Sequence, residues 1–498
     1  MSLIDTIFHR CTAGPYEGEL TAQNVSIYHI SPFTIYCEKF ASHDEEDPLS
    51  PYRELLFERG QDHEIHFIEK EYPEFKSITY KEREEGFLKL LKEMARGAEV
   101  ICGMPILFLA ENVQGQIDVL EKRTDHLSVF GDYYYVVKEI KLAKNIRKEH
   151  IIQGAFYTYL IAQIQEYLPE AFFIINRDFQ EFEYRYRDYE QELATAIEGT
   201  QAILDGAAVP TPTYNGCEWP WERYCNHRAL KTRDVSLVAH VGPKTKAHLV
   251  AHGFKKIWDI SSATVEDLKK VPSISAATAQ KLILSAQAIK KGEPILLKKA
   301  PLSFPERSTE IFLDLEGSDQ PGHEDELAQV DYLIGVLIRK DGKEAYRSFI
   351  AHRPQDEGTM FCEFMEFITT QRDYVIYHWH NYESWHIKRL GERHDRKEEV
   401  ERLMLPHMID LHKVATKWYV FPTYSHGLKD VATFLGFKWR HDDINALDAI
   451  AYYLKYQEDP DRYKDKLQGI VDYNEDDCVA TRVVKDWLHE RSLSEEGG

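Results

Sequence analysis

The apolar and polar positions of this chain fall into blocks with two different periods. Residues 51–70 place Leu55, Leu56, Ile65 and Phe67 at helical spacing around a charged face that carries His63. Residues 115–120 and 132–142 flank a polar turn at 121–126 and predict two paired strands. Residues 149–166 return to helical spacing, with Gln153 and Tyr157 four apart and therefore on one face. Residues 238–289 read as two short helical hairpins, and 290–305, rich in Lys and Pro, as a connection. Residues 309–317 form an apolar strand interrupted by Asp314 and Glu316. A polar loop is expected at 318–326, then strands at 331–339 and 344–352, a helix at 359–371 and a core strand at 373–378. Residues 408–412 read as another strand end. The last helices are expected at 425–437, capped by Ser425 and closed by Gly436, and at 479–488.

Composition narrows the class. At 498 residues the chain has room for about three domains of roughly 150 residues each. The blocks divide it at 1–230, 231–300 and 301–498. A hydrophobic content of 43% and an aromatic content of 12% indicate packed cores. The formal net charge of −22 argues against a protein that coats nucleic acid. It leaves room for a nuclease, whose clustered acids are offset locally by cations, with any nucleic-acid track a local basic strip such as 138–148 or 281–299. Seven cysteines form no secreted disulfide framework. Residues 1–17 hold no apolar signal segment, and the longest apolar run, 100–110, is too short to span a bilayer. The expectation is a cytoplasmic protein with no membrane partner, its oligomeric state left open. No GxxxxGK[ST] motif is present, so no built-in ATP motor is read.

The candidate chemistry lies in acids. Side chains alternate along a strand, so Asp314 and Glu316 face one way, and two such acids are costly side by side unless a cation lies between them. Tyr473 and Asp477, four apart, share a helix face. A strand DxE with a helix YxxxD is an arrangement that holds two divalent metals over a phosphodiester. In the N-terminal third, Glu139 and Lys141 share a strand face, and Asp118 on the neighbouring strand can join them. Carboxylates suit Mg²⁺ or Mn²⁺, and the lysine suits an attacking water and developing phosphate charge.

These motifs carry three resemblances. The helix with His63, GQID ending at Asp118, EIK at 139–141 and QGAFY at 153–157 resemble the RecB-type branch of the PD-(D/E)XK nucleases. That implies a restriction-endonuclease-like fold, with His63, Asp118 and Glu139 on metal, Lys141 catalytic, and Gln153 and Tyr157 positioning DNA or the site. Many RecB-type nucleases hold an iron–sulfur cluster on four cysteines. Here Cys37, Cys217 and Cys225 align, but Pro220 stands where the remaining one is expected. Either another residue completes the set or the cluster is lost, and the reading favours loss with closure by aromatic packing. HVGPKTKAHLVAHGF and LKKVPSISAATAQKLILSAQAI resemble tandem helix-hairpin-helix modules, an all-α DNA-binding linker. Gly242 stands at the first turn, whereas Ser273 and Ser275 replace the usual glycine of the second.

The last third resembles the DEDDy exonucleases, an RNase H-like mixed sheet with helices. Asp314 and Glu316 match the first motif. Asn381-Tyr382-Glu383 matches the second, with Glu in place of Asp, and Tyr473 with Asp477 matches the third. The resemblance implies Mg²⁺ or Mn²⁺ at Asp314, Glu316, Glu383 and Asp477, a water oriented by Tyr473, and release of 5′-nucleotides from a 3′ end. The leading expectation is an α/β multidomain DNA nuclease with two metal sites, acting on single strands or ends in repair, recombination or defence. The alternatives are an RNA-processing exonuclease and a nucleic-acid-binding scaffold with vestigial sites that recruits a helicase.

Overall fold

A computed structural model describes residues 2–14, 18–298, 302–318, 330–441 and 444–495. Beyond Ser318, the polar loop expected at 318–326 lies outside these residues. The chain divides into two compact units, one of residues 1–49 and 53–229, the other of 50–52 and 230–498. Among the described residues no helix is long and apolar enough to cross a membrane.

The first unit is built on strands β1 (Leu20–Thr21), β2 (Val100–Phe108), β3 (Val113–Arg123), β4 (Tyr134–Ile140), β5 (Ala171–Ile175) and β6 (Glu181–Arg185). They run in the order β1-β3-β4-β5-β6, with β2 also paired to β3. The expected strand pair is β3 and β4, antiparallel, with Val119 opposite Lys138. Along β3, Val113, Ile117 and Val119 are buried, which turns Gln116 and Asp118 to the other face. The helix Lys148–Gln165 lays Ala155, Phe156, Leu160 and Ile164 into the same core as Ile117 and Val137. The expected helix at 51–70 is Pro51–Glu71.

The second unit begins with the two hairpins. Their helices are Pro243–Ala251 and Ile257–Ser262, then Val265–Leu268 and Ala276–Lys291. The backbone repeats between them. His240 and Ser273 both take left-handed φ, 72° and 68°. Two residues later Gly242 (φ −80°, ψ 177°) and Ser275 (φ −77°, ψ 165°) cap the following helices. Ser275 thus takes the place of Gly242 without a change of backbone, and its hydroxyl accepts from Thr278 N. The connection is not wholly irregular, because β7 (Ile295–Leu296) pairs antiparallel with β13 (Tyr419–Val420).

The main sheet follows: β8 (Thr309–Gly317), β9 (Asp331–Lys340), β10 (Lys343–Ile350), β11 (Tyr374–His378) and β12 (Met408–Asp410), in the order β10-β9-β8-β11-β12. The first three are antiparallel, and β11 runs parallel to both β8 and β12. Period-two alternation in β8 feeds two cores. Ile311, Leu313 and Leu315 pack with Phe361, Phe364 and Ile387. Phe312 packs on the other face with Cys478, Val484 and Leu488. Asp314 and Glu316 extend the Phe312 face, which is the face of the last helix.

That helix is Pro460–Glu495, far longer than the expected 479–488, because the polar run before Val479 hides its start. The helix expected at 425–437 is also different. It spans Leu428–Phe434 with Gly427 as N-cap, while the Ser425 hydroxyl donates to Asp430 at 2.5 Å and accepts from Gly427 N. An ionic clamp sets the last helix against β8. Lys485 Nζ lies 2.6 Å from Glu310, and Arg339 bridges Glu310 to both carboxylate oxygens of Asp486. From Glu310 to Asp314 the strand rises about 13 Å. From Lys485 back to Asp477 the helix rises about 12 Å. The clamp therefore brings Asp477 level with Asp314.

Lys485 is 6% exposed. Truncating it leaves Glu310 short of a buried partner, so Lys485→Ala is expected to cost about 1–3 kcal/mol. Urea unfolding of the full chain, with wild type alongside, checks this; an unchanged midpoint would show that the clamp contributes nothing.

Candidate active sites

Three carboxylates converge in the second unit. Asp314, Glu316 and Asp477 each offer an oxygen within 4.8 Å of the others, and among the described residues no other group of three or more His, Cys, Asp or Glu side chains does so. Their environment opposes ionisation. Burial, then Asp477, Glu316 and Glu383, raise Asp314 well above the usual carboxylate range. Burial, Asp477 and Glu383 do the same to Glu316. Burial lifts Asp477 to about 7, although Trp439 and Lys429 pull it down. Oxygen donors of like charge, crowded and buried, fit a hard divalent cation.

Each acid has a support. Asn474 Nδ2 donates to Asp314 Oδ2 at 2.6 Å, and Tyr346 OH donates to Asn474 Oδ1 at 2.8 Å. Gly335, opposite Asp314 in the sheet, makes this reach feasible, since a Cβ there would lie 1.6 Å from Asn474 Oδ1. Trp439 Nε1 donates to Asp477 Oδ1 at 2.7 Å. Next door, Arg440 takes Asp476 at 2.7 Å through its backbone N–H and 2.8 Å through its side chain, so Asp476 anchors that loop. Asn474, Trp439 and Gly335 were not singled out from the sequence, where nothing local marks them as partners of acids far away in the chain.

Glu383 begins the helix Tyr382–Arg393 and falls outside the 4.8 Å group. It is buried, its carboxyl is raised first by burial, and His378 Nδ1 lies 3.3 Å from it. The fourth expected ligand is thus beside the cluster and held by a histidine. Tyr473 lies on the same helix face as Asp477; burial and then Asp477 keep its phenol protonated far above the ordinary value. Asp410 caps the helix Leu411–Trp418 through Lys413 N and accepts His380 N at 3.2 Å, a positioning role.

The first unit brings together Asp118, Glu139 and Lys141. Asp118 Oδ2 accepts Ile140 N at 2.8 Å; Lys141 Nζ lies 3.0 Å from Glu139 and 3.9 Å from Asp118. Glu139 is fully buried, its Oε1 has no hydrogen-bond partner, and burial followed by Asp118 lifts it to about 8. Burial acts to lower Lys141, but Glu139 and Asp118 overcome it, and its pKa rises. Tyr157 OH accepts Gln116 N at 3.2 Å and packs under Gly115; Gln153 hydrogen-bonds that phenol. An orphaned carboxylate oxygen beside a second acid fits a cation here too.

Two of the expected groups have a different local setting. His63 does not form a metal-holding group with Asp118 and Glu139 within 4.8 Å; its ring stacks on Phe179 at 5.0 Å. Its neighbour Glu64 is the residue that feels the site, raised to about 7 by burial and then Asp118. The cysteines converge, but not as free thiolates: Cys217 and Cys225 form a disulfide, with Cys37, Phe33 and Trp221 in the same buried cluster.

In chelator, the folded chain holds Asp477's proton up to about pH 7, where an unfolded aspartate has already lost it. Stability is therefore present below about pH 4 and declines as pH rises to about 7. Asp477→Asn is expected to flatten this decline and raise the melting temperature near pH 7.5 by about 2–4 °C. Mn²⁺ should stabilise wild type more than the variant, which keeps only the Asp118 and Glu139 pair intact. Thermal scans in EDTA and Mn²⁺ read both effects; a variant that Mn²⁺ stabilises like wild type would exclude Asp477 as a ligand.

Comparison with known families agrees with the two segments of the second unit. The RNase H superfamily model matches residues 311–489, and the SAM-like helix-hairpin-helix tandem model matches residues 233–288. No curated protein matches the chain. The chain thus carries an RNase H superfamily domain behind a helix-hairpin-helix tandem, and the Asp314, Glu316 and Asp477 cluster lies inside the matched RNase H segment.

Proposed function

We propose that this chain is a divalent-metal-dependent nuclease that hydrolyses phosphodiester bonds of DNA, single strands or ends, at two separate sites. Its domains on this reading are 1–230, a RecB-type PD-(D/E)XK nuclease; 231–300, the helix-hairpin-helix module; and 301–498, a DEDDy 3′–5′ exonuclease. The observation that carries the reading is the group of three mutually close carboxylates, Glu316 buried and Asp314 and Asp477 half-buried, within an RNase H superfamily segment.

In the C-terminal site Asp314, Glu316 and Asp477 would hold Mg²⁺ or Mn²⁺, with Glu383 adjacent. When bound, such ions act as Lewis acids toward phosphoryl oxygens and make water a stronger nucleophile. The chain's own groups do the rest. Asn474 and Trp439 fix the carboxylates by donating to them. Tyr473, held protonated, orients an attacking water by its hydroxyl. His378 holds Glu383 in place. In the N-terminal site Asp118 and Glu139 offer oxygens to a cation, Lys141 donates to charge developing on phosphate, and Tyr157 with Gln153 packs the strand that carries Asp118.

The test is a cleavage assay in Mg²⁺ and Mn²⁺ on end-labelled single-stranded, duplex and branched DNA, with RNA of matched sequence beside it. Asp314→Asn with Asp477→Asn is expected to reduce 3′ trimming at least 100-fold, on the order of removing a catalytic metal ligand. Lys141→Ala is expected to remove a different set of products. Full trimming by the double variant would refute the C-terminal assignment, RNA cleaved in preference to DNA would refute the substrate, and both variants cutting like wild type would leave a scaffold.

A further inference from the structure

Four histidines of the second unit form a row that the functional reading above has not used. His240 stands at the first hairpin turn, and its ring centre lies 5.2 Å from that of His426, edge to face. His426 lies 6.5 Å from His412, and His412 lies 4.8 Å from His380. Trp379, beside His380, stands edge-on to His412 at 5.5 Å. His380 then reaches toward the carboxylates, since its N–H is bound by Asp410, whose charge is felt by Glu383. The row therefore runs from the hairpin module to the loop between β11 and the helix Tyr382–Arg393 that carries Glu383. Its two ends, His240 and His380, are exposed, and its middle is half-buried.

Three features point to a ligand. The Nε2 atom of His426 is buried with no hydrogen-bond partner. His240 and His380 both adopt left-handed φ, 72° and 73°, which non-glycine residues take at a cost. Ser273 at the equivalent turn of the second hairpin has the same backbone, so the turn alone does not call for a histidine. Burial holds His426 down to about 4, and His240, His412 and exposed Lys281 push the same way. His412 is lowered by burial and by His380, with Asp410 opposing and His240 and Lys413 adding to the fall. Beside burial, the cation of Lys281 acts on His426, so a positive charge borders the row. The row is extended and does not close around a point, since no three of these histidines meet within 4.8 Å among the described residues.

We propose that His240, His426, His412 and His380 line the path of a single nucleic-acid strand from the hairpin module to the carboxylate cluster. Imidazole N–H groups donate to successive phosphates, and the exposed rings of His240 and His380 offer stacking surface to bases. This rests on the nuclease reading above. These are positioning residues, and their removal should weaken strand binding more than chemistry.

The test uses the full chain with a fluorescent oligothymidylate of about 20 nucleotides, long enough to reach both modules. Binding is measured by anisotropy in EDTA, and release of 3′-terminal nucleotides in Mn²⁺. His240→Asn keeps a residue that tolerates left-handed φ; His240→Ala with His412→Ala and His426→Ala removes the row. The triple variant is expected to raise Kd and KM about tenfold, with kcat changed less than about twofold, and His240→Asn to give a smaller rise of the same kind. A wild type that binds and trims, beside variants with unchanged Kd and KM, overturns this proposal and leaves the nuclease reading intact. A wild type that neither binds nor trims overturns both. Stoichiometric Zn²⁺ bound by wild type and lost in the triple variant, with oligonucleotide affinity unchanged, would identify the row as a metal site and overturn the strand path.

Discussion

Crowded carboxylates in a protein interior repel one another, and the second unit is arranged around holding them in spite of that. Each ionised carboxylate taken out of water costs several kcal/mol before repulsion is counted. Asp314, Glu316 and Asp477 are brought together from strand and helix, so both elements must resist separation. Phe312, Cys478, Val484 and Leu488 seal the interface below the acids. The clamp of Glu310, Arg339, Lys485 and Asp486 fixes its register, because strand and helix travel nearly equal distances from clamp to acids. Opposite charges at one end of the interface thus hold like charges together at the other.

The supports of the acids show the same economy of space. Asn474 follows Tyr473 directly and precedes Asp477 by three residues on their helix, and it reaches Asp314 only because Gly335 carries no side chain. A single missing Cβ in β9 therefore conditions the orientation of a carboxylate in β8. Trp439 and Arg440 act as a pair: one donates to Asp477 and the other grips Asp476, so adjacent acids on the helix are given opposite duties. The donors to Asp314 and Asp477 are neutral groups. They orient the carboxylates without cancelling their charge, which remains for a cation to balance.

How much of this was legible depended on the range of the cause. Asp314 and Glu316 follow from period two along a strand, and Tyr473 with Asp477 from the i,i+4 rule; both are local, and both hold in the structure. The strand pair carrying Asp118 and Glu139 was legible for the same reason. Successive helix residues point about 100° apart, so the neighbour Glu64 meets the field of Asp118 and Lys141 while His63 turns to Phe179. The start of the last helix was hidden because residues 460–478 show little apolar periodicity of their own and are held by packing on the sheet. Asn474 and Trp439 owe their importance to contacts across 160 and 38 residues, and Gly335 to a side chain that is absent. Cys217 and Cys225 were read from a ligand pattern, whereas their pairing is a fact of three-dimensional proximity.

The two acid clusters solve their electrostatic problem differently. In the first unit Lys141 lies within 4 Å of both Glu139 and Asp118, so part of the negative charge is neutralised by the chain itself. Glu139 still retains a buried oxygen with no partner. In the second unit the nearest cation credited with moving Asp477 is the exposed Lys429, and no ammonium enters the causes acting on Asp314 or Glu316. An internal lysine offsets part of that charge and places an ammonium for phosphate charge, while burial still holds Glu139 up to about 8. Three acids without one make a site whose folded, ionised form depends on a cation from solution.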